Sequence, residues 1–164
     1  MKSWETFTKR IRINKPIEEV YNCWATKSQI EKWFLEKADF IFENRVRKPH
    51  ELIQKNDDFQ WKWNNWDFTE EGQVLEANGK DILSFTFGSG GIVAVTLKEV
   101  QYGTEVELIQ KDIPTDDSSK MDIFVGCITG WTFWLTNLKA YLEHGITLHA
   151  KGLSQDETKD LVNS

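Results

Sequence analysis

The sequence predicts an α+β fold in which a mostly antiparallel, seven-stranded sheet packs against a long helix near the C-terminus. Two observations indicate the sheet. Seven segments alternate apolar and polar residues, and turn sequences such as "NGK" at 78–80 and "GSGG" at 88–91 separate several of them. A third observation indicates the helix, because apolar residues recur at spacings of four and three between Phe124 and Leu142.

Two short helices are predicted after the first strand. Segment 7–13 alternates in the manner of a half-buried strand and ends before Pro16. The sequence "PIEEVYNCWA" predicts a first helix, since proline suits the first turn and two glutamates lie where the helix dipole favours negative charge. Segment 27–34 predicts a second helix, with Ser28 and Glu31 as a capping box.

Six further strands are predicted from their period of two, and their short connections favour antiparallel neighbours. Their inward-facing residues are, in chain order, Phe40 and Phe42; Phe59, Trp61 and Trp63; Phe68, Gly72 and Val74; Leu83, Phe85 and Phe87; Val93, Val95 and Leu97; and Val106, Leu108 and Gln110. Segment 45–57 is too polar for a core strand, so we expect a loop that could include one helical turn at 49–54.

The C-terminal part is predicted to form one long helix and a tail. The acidic segment 116–119 supplies a capping start, and Gly145 supplies the stop. About 26 residues at a rise of 1.5 Å give a length of roughly 39 Å, which is enough to cross the sheet. The polar tail at 151–164 is either a short peripheral helix or irregular.

Charge and composition exclude several classes of function. The chain has 20 Lys and Arg against 26 Asp and Glu, and the net charge of −6 disfavours nucleic acid. Acidic residues follow the basic ones at 9–12 and 45–48, which we interpret as solvated faces. No segment has the ~20 apolar residues of a membrane span, and no signal peptide is visible, so we expect a cytoplasmic protein. Without a linker or repeat, we expect one domain at 1–164, with a core at about 7–145 and a tail at 146–164.

The residues that usually carry catalysis or bind metal do not form a recognisable pattern. Cys23 and Cys127 form no CxxC pair, and we interpret both as reduced, buried side chains. His50, His144 and His149 are widely separated, and neither a nucleophile elbow nor an HExxH zinc pair is present. The sequence therefore predicts no catalytic residues, no metal and no cofactor.

Four segments in this order resemble the START-like (SRPBCC) superfamily, and most closely its branch named for activators of the heat-shock chaperone ATPase. The segments are "INKPIEEVYNCWATKSQIEKWF", "EEGQVLEANGKDILSFTF", "GTEVELIQKDIP" and "GWTFWLTNLKAYLEHG". The resemblance covers about 7–145 and implies a helix-grip fold, with the sheet wrapped around the long helix. The segment "RVRKPHELIQKNDD" departs from the short loop common in that family.

Many large rings share the face of the sheet that the resemblance turns toward the long helix. Either they fill that space or they line a pocket, and so many rigid rings rarely pack without gaps, which favours the pocket. Glu70 and Gln110 share this phase and could be polar anchors, and Glu70 could also act as a base or simply be solvated. The candidate ligand-binding residues are Trp33, Trp61, Trp63, Phe68, Glu70, Phe85, Phe87, Gln110, Trp131 and Trp134.

Two glycines inside the long helix also require an explanation, since each costs about 1 kcal/mol relative to alanine. Gly126 and Gly130 could permit close approach of helix to sheet, which is the simpler explanation, or they could leave space for a ligand. We therefore expect a domain that binds an apolar or aromatic small molecule as a monomer or homodimer. The resemblance implies two alternatives: a cyclase- or hydrolase-like enzyme that uses the same cavity, and a domain with a chaperone partner.

Overall fold

An eight-stranded antiparallel sheet forms the body of the molecule in the computed structural model, which describes residues 3–164. The strands are β1 (Phe7–Ile13), β2 (Lys37–Phe42), β3 (Arg45–Val46), β4 (Asp58–Lys62), β5 (Thr69–Ala77), β6 (Ile82–Thr86), β7 (Ile92–Val100) and β8 (Gly103–Lys111). Their order in the sheet is β1-β8-β7-β6-β5-β4-β2-β3, and all neighbours pair antiparallel. The first strand therefore pairs with the last one, and β1 and β3 form the two edges of the sheet.

The helices are two short ones after β1 and a long one near the C-terminus. They are α1 (Ile17–Ala25), α2 (Lys27–Trp33), α3 (Asp117–Ser119), α4 (Gly126–His144) and α5 (Gln155–Thr158). A π-helical stretch, Lys120–Val125, joins α3 to α4, and a 3₁₀ turn, Gly88–Gly90, lies between β6 and β7. The predicted α+β class and the long C-terminal helix are confirmed, with one strand more than the seven predicted.

The core lies between one face of the sheet and the helices. The inward positions follow the predicted period of two, as in Val93, Val95 and Leu97 of β7, all of which are buried. From α4, Trp131, Leu135 and Leu138 complete this layer. The phase of the alternation therefore identifies the buried face of β7 correctly, whereas Phe42, at the end of β2, was predicted to face inward and is 40% exposed.

The additional strand arises in segment 45–57, which contains no helical turn at 49–54. β3 pairs with β2 at the edge of the sheet. The Arg47 Nη2 donates to Asp57 Oδ1 at 2.7 Å, and the Asp57 carboxylate is fully buried. This ion pair brings the two ends of the segment together, and the residues between them form turns and irregular structure.

The long helix differs from the prediction at its start. Asp116 accepts a hydrogen bond from the Ser119 N–H at 3.0 Å, as expected of a cap, but the six residues that follow are π-helical. The end is as predicted, since Gly145 adopts a left-handed conformation with φ of 68° and its N–H donates to the Tyr141 carbonyl at 2.9 Å. The long helix therefore has a regular C-terminal part and a wider first part.

Two further predictions concern the start of α2 and the form of the tail. α2 begins before Ser28, so Ser28 is not its cap, and the Ser28 hydroxyl lies 3.1 Å from His50 Nδ1. The tail forms the short helix α5 with a capping box between Ser154 and Glu157. The tail is fastened to the β4–β5 loop by Asn65, whose side chain donates to the Ala150 carbonyl at 2.9 Å.

Candidate functional site

An aromatic pocket of about 170 Å³ lies where the first turns of α4 meet the ends of α2, β4 and β6. Three of its rings directly follow an element: Phe34 follows α2, Trp63 follows β4 and Phe87 follows β6. The first turns of α4 form the other wall. The lining residues are Phe34, Trp63, Phe87, Gly126, Cys127, Gly130, Trp131 and Trp134.

The rings of the pocket support one another. Ring centroids are 4.8 Å apart for Phe34 and Trp63, and 5.9 Å apart for Trp63 and Phe87. Trp131 joins the two ends of this series, because its ring centroid lies 5.5 Å from that of Phe87 and 5.2 Å from that of Phe34. Trp134 adds an edge contact to Phe34 at 5.5 Å. Because each ring contacts others in edge-to-face, tilted or stacked geometry, the walls are preformed.

Gly126 and Gly130 form the helical part of the lining, one turn apart on α4. A Cβ added at either position would have no neighbour within 4 Å. The interpretation that these glycines permit close approach of helix to sheet is therefore wrong. Their missing side chains instead leave open space at the pocket.

Gln110 and Glu70 each hold an indole of the pocket wall. The fully buried Gln110 accepts from Trp131 Nε1 at 2.9 Å and donates to the Gly90 carbonyl at 2.8 Å. Glu70 accepts from Trp63 Nε1 through a longer bond of 3.4 Å. Burial raises the pKa of the Glu70 carboxyl, and this hydrogen bond offsets part of the rise. Both residues act on the pocket through the tryptophan that they contact.

Cys127 places a thiol in the wall between the two glycines. Burial raises the pKa of this thiol, a hydrogen bond from Gln110 lowers it, and the negative charge of the nearby Glu70 raises it again. The thiol therefore remains protonated at neutral pH and contributes a small, weakly polar surface.

The structure brings four of the predicted site residues into the pocket lining: Trp63, Phe87, Trp131 and Trp134. It does not bring Phe68 to the site, because Phe68 lies just outside β5, is 51% exposed and contacts Trp66. The lining residues Phe34 and Cys127 were not among the candidates. The signal for Cys127 was its position between two unexplained helix glycines.

Three other candidates are core residues. Trp61 stacks on Phe59 at a centroid distance of 4.0 Å and meets Phe85 edge-on at 5.0 Å. Trp33 donates its Nε1–H to the Cys23 carbonyl at 2.9 Å. Trp33, Trp61 and Phe85 are all buried and lie behind the pocket lining. The closely spaced tryptophans thus have different roles, with Trp61 in the core and Trp63 at the pocket.

The tail covers the back of one pocket wall. His149 lies 5.4 Å from the Trp134 ring, and its Nδ1 is 3.2 Å from the Asn137 amide nitrogen. That amide also donates to the Trp33 carbonyl at 2.6 Å, and Asn137 Oδ1 accepts from the Leu148 N–H. The tail therefore fixes the position of Trp134 from outside the pocket.

Neither a metal-ligand cluster nor a membrane-spanning helix accompanies this pocket in the described part of the chain. Within 3–164, no three His, Cys, Asp or Glu side chains come together as a metal site would require. No helix there has the length and apolar character needed to cross a bilayer.

Solved structures share the architecture. Protein SSP2350 from Staphylococcus saprophyticus superposes with a TM-score of 0.72 at 21% identity, covering 88% of this chain and 96% of that one. Protein MLL2253 from Mesorhizobium loti gives 0.68 at 19%, covering 86% and 98%. The Aha1 dimer from Colwellia psychrerythraea gives 0.63 at 18%, covering 85% and 97%. At these identities the likeness establishes the fold.

The assignment to a family comes from the sequence. No curated protein matches the chain. The family model described as "Activator of Hsp90 ATPase homolog 1-like protein" matches residues 14–143, which begin directly after β1, run to the last turn of α4 and include the whole pocket lining. The chain therefore belongs to the family of Activator of Hsp90 ATPase homolog 1-like proteins.

Proposed function

We propose that this protein binds a small organic molecule with apolar or aromatic surface in the pocket between the ends of the sheet strands and α4. The observation that carries the proposal is the pair Gly126 and Gly130, whose missing side chains face open space. Glycine in a helix interior costs about 1 kcal/mol relative to alanine. Because no neighbouring atom requires glycine here, we attribute that cost to space kept for a ligand.

The lining supports the same reading. Five aromatic rings border the cavity, and a ligand that fills it would cover the accessible parts of the half-buried Trp63 and Phe87 rings. The only other side chain in the lining is the Cys127 thiol. Such a surface favours a molecule that offers flat or branched apolar groups.

The experiment adds methyl groups to α4 that occupy part of the pocket. Gly126→Ala and Gly130→Ala place a methyl group in open space without a clash. Each should stabilise α4 by about 1 kcal/mol and should weaken the binding of a neutral naphthalene-type dye at the same time. Dye emission, excited through the nearby tryptophans, measures binding, and urea unfolding measures stability.

Thr132→Ala is the matched control, because Thr132 lies on the exposed side of the same helix. It also exchanges a poorer helix former for alanine, and it should leave dye affinity unchanged. Glycine variants that gain stability and bind the dye as well as the original chain does would contradict the proposal. Absence of saturable dye binding to the original chain would contradict it as well.

A further inference from the structure

The rings of the pocket are suited to a cation as well as to an apolar group. The faces of aromatic rings carry negative potential and attract a cation within about 6 Å of the ring centre, tryptophan most strongly. Three of the five rings in the lining are tryptophans: Trp63, Trp131 and Trp134. Their rings border one small space, so a single cation there would lie next to more than one of them.

The lining also restricts the kind of cation. The indole N–H groups of Trp63 and Trp131 already donate to Glu70 and Gln110, and the lining supplies no carboxylate or amide of its own. Within the lining, a primary ammonium would lose the water around its N–H groups and find only the weak acceptor of the Cys127 sulfur in return. A fully methylated ammonium has no N–H groups to satisfy, and its methyl groups suit apolar walls.

Glu70 provides a second, independent indication. Its carboxyl is partly buried beside the Trp63 ring, close enough to Cys127 on the opposite wall to affect the pKa of that thiol. None of the Lys, Arg and His side chains within 3–164 forms an ion pair with it. A partly buried carboxylate without a cationic partner is unfavourable, and a bound cation would offset that cost.

The size of the cavity limits the group that it can enclose. Its volume of about 170 Å³ is below the ~300 to 1,000 Å³ typical of sites for drug-sized molecules. The enclosed group is therefore small.

From these features we infer that the pocket binds a small quaternary ammonium compound, with the methylated cation against the rings of Trp63, Trp131 and Trp134 and with Glu70 balancing its charge. This inference rests on the proposed function and names its ligand class. A pocket of this kind would prefer a quaternary ammonium to a neutral molecule of the same shape, whereas a purely apolar pocket would not.

The test compares two probes of the same shape. Choline carries the quaternary ammonium, and 3,3-dimethylbutan-1-ol has carbon in place of nitrogen and is neutral. Both are titrated against the full chain at constant ionic strength, with tryptophan emission as the readout. We expect saturable choline binding about tenfold tighter than that of the neutral probe, as a cation–π site implies.

Variants identify the side chains that cause the preference for choline over the neutral probe. Glu70→Gln keeps an acceptor for the Trp63 indole and removes the charge, so the ratio of the two affinities should fall several-fold. Trp63→Leu should abolish the preference, and Trp63→Phe should keep part of it. Trp66→Leu removes a 40% exposed tryptophan outside the pocket and should leave both affinities unchanged. Thermal melts confirm that each variant is folded.

The outcomes separate this inference from the proposed function. Equal or tighter binding of the neutral probe would overturn the quaternary ammonium assignment and leave the apolar pocket intact. A preference for choline that Glu70→Gln and Trp63→Leu do not reduce would overturn the assignment to this pocket. If the original chain binds neither probe nor the naphthalene-type dye, both proposals are wrong.

Discussion

At the scale of single residues, Trp131 belongs both to the core and to the pocket wall. Only 2% of it is exposed, its indole nitrogen is fixed by the buried Gln110, and its ring contacts both Phe34 and Phe87. The same ring forms a wall of the pocket. Truncation therefore removes core contacts, leaves a buried amide without its donor and enlarges the cavity.

Trp131→Ala should lower the free energy of unfolding by about 3 to 5 kcal/mol, the usual cost of a buried tryptophan truncated to alanine. Urea unfolding followed by circular dichroism measures this loss. Trp66→Ala is the control, since Trp66 is 40% exposed, and it should cost less than half as much. A loss below ~1 kcal/mol for Trp131→Ala would show that this ring is not part of the core.

At the scale of elements, segment 45–57 is held by two ion pairs of different burial. Arg47 and Asp57 are 10% and 0% exposed, whereas Arg45 and Glu51 are 52% and 33% exposed. Removing one partner from a buried pair leaves an uncompensated charge, and removing one from an exposed pair leaves a charge that water solvates. We therefore expect the buried pair to contribute more to the stability of this segment than the exposed pair does.

Asp57→Asn should destabilise the protein by about 3 kcal/mol, because it leaves the Arg47 guanidinium without its counterion. Glu51→Gln, in the same segment, should cost less than about 1 kcal/mol. Urea unfolding of the two variants in parallel gives the comparison. Equal losses would mean that burial of the Arg47–Asp57 pair has no energetic consequence.

The strands that could be predicted are those long enough to show a period of two against one buried face, such as β7. β3 could not be predicted, because two residues carry no period and its position depends on Asp57, eleven residues beyond its last residue. The π-helical stretch was also missed, since its apolar spacing resembles that of an ordinary helix.

The pocket could be predicted in part for a similar reason. Trp63 and Phe87 continue the inward phase of β4 and β6, so their general position followed from the pattern. Trp61 and Trp63 have the same phase, and only tertiary packing places the first in the core and the second at the cavity. The phase of the alternation therefore predicts the face of the sheet on which a ring lies, but not how deeply the ring is buried.

At the scale of the whole molecule, the C-terminal tail packs against the outer side of the pocket wall. His149 is buried against Trp134 and Asn137, and burial lowers the pKa of its imidazole, with a further contribution from the positive charge of Lys151. Asn137 donates to His149 Nδ1, so the folded tail requires the neutral ring.

Stability should therefore decrease as the pH falls from about 6.5, the ordinary histidine value, through the lower pKa of folded His149. In that range the unfolded chain binds the proton more readily than the folded chain, so protonation favours unfolding. Thermal melts between pH 7 and pH 5 measure the effect. His149→Asn should show a smaller decrease than the original chain, and identical decreases would assign the pH dependence to other groups.

The strand order has a further consequence for encounters between copies of the protein. The sheet is open, so β1 and β3 each lack a strand partner on one side, where a strand from another molecule could pair. On β1, the Arg12 carbonyl accepts from Lys139 Nζ of α4 at 2.7 Å. Arg10 and Arg12 project from β1 with 63% and 73% of their side chains exposed, and β3 is only two residues long. Exposed charged side chains at one edge and a very short strand at the other are features that disfavour edge-to-edge pairing of sheets. We therefore expect copies of this protein not to join through these two edges.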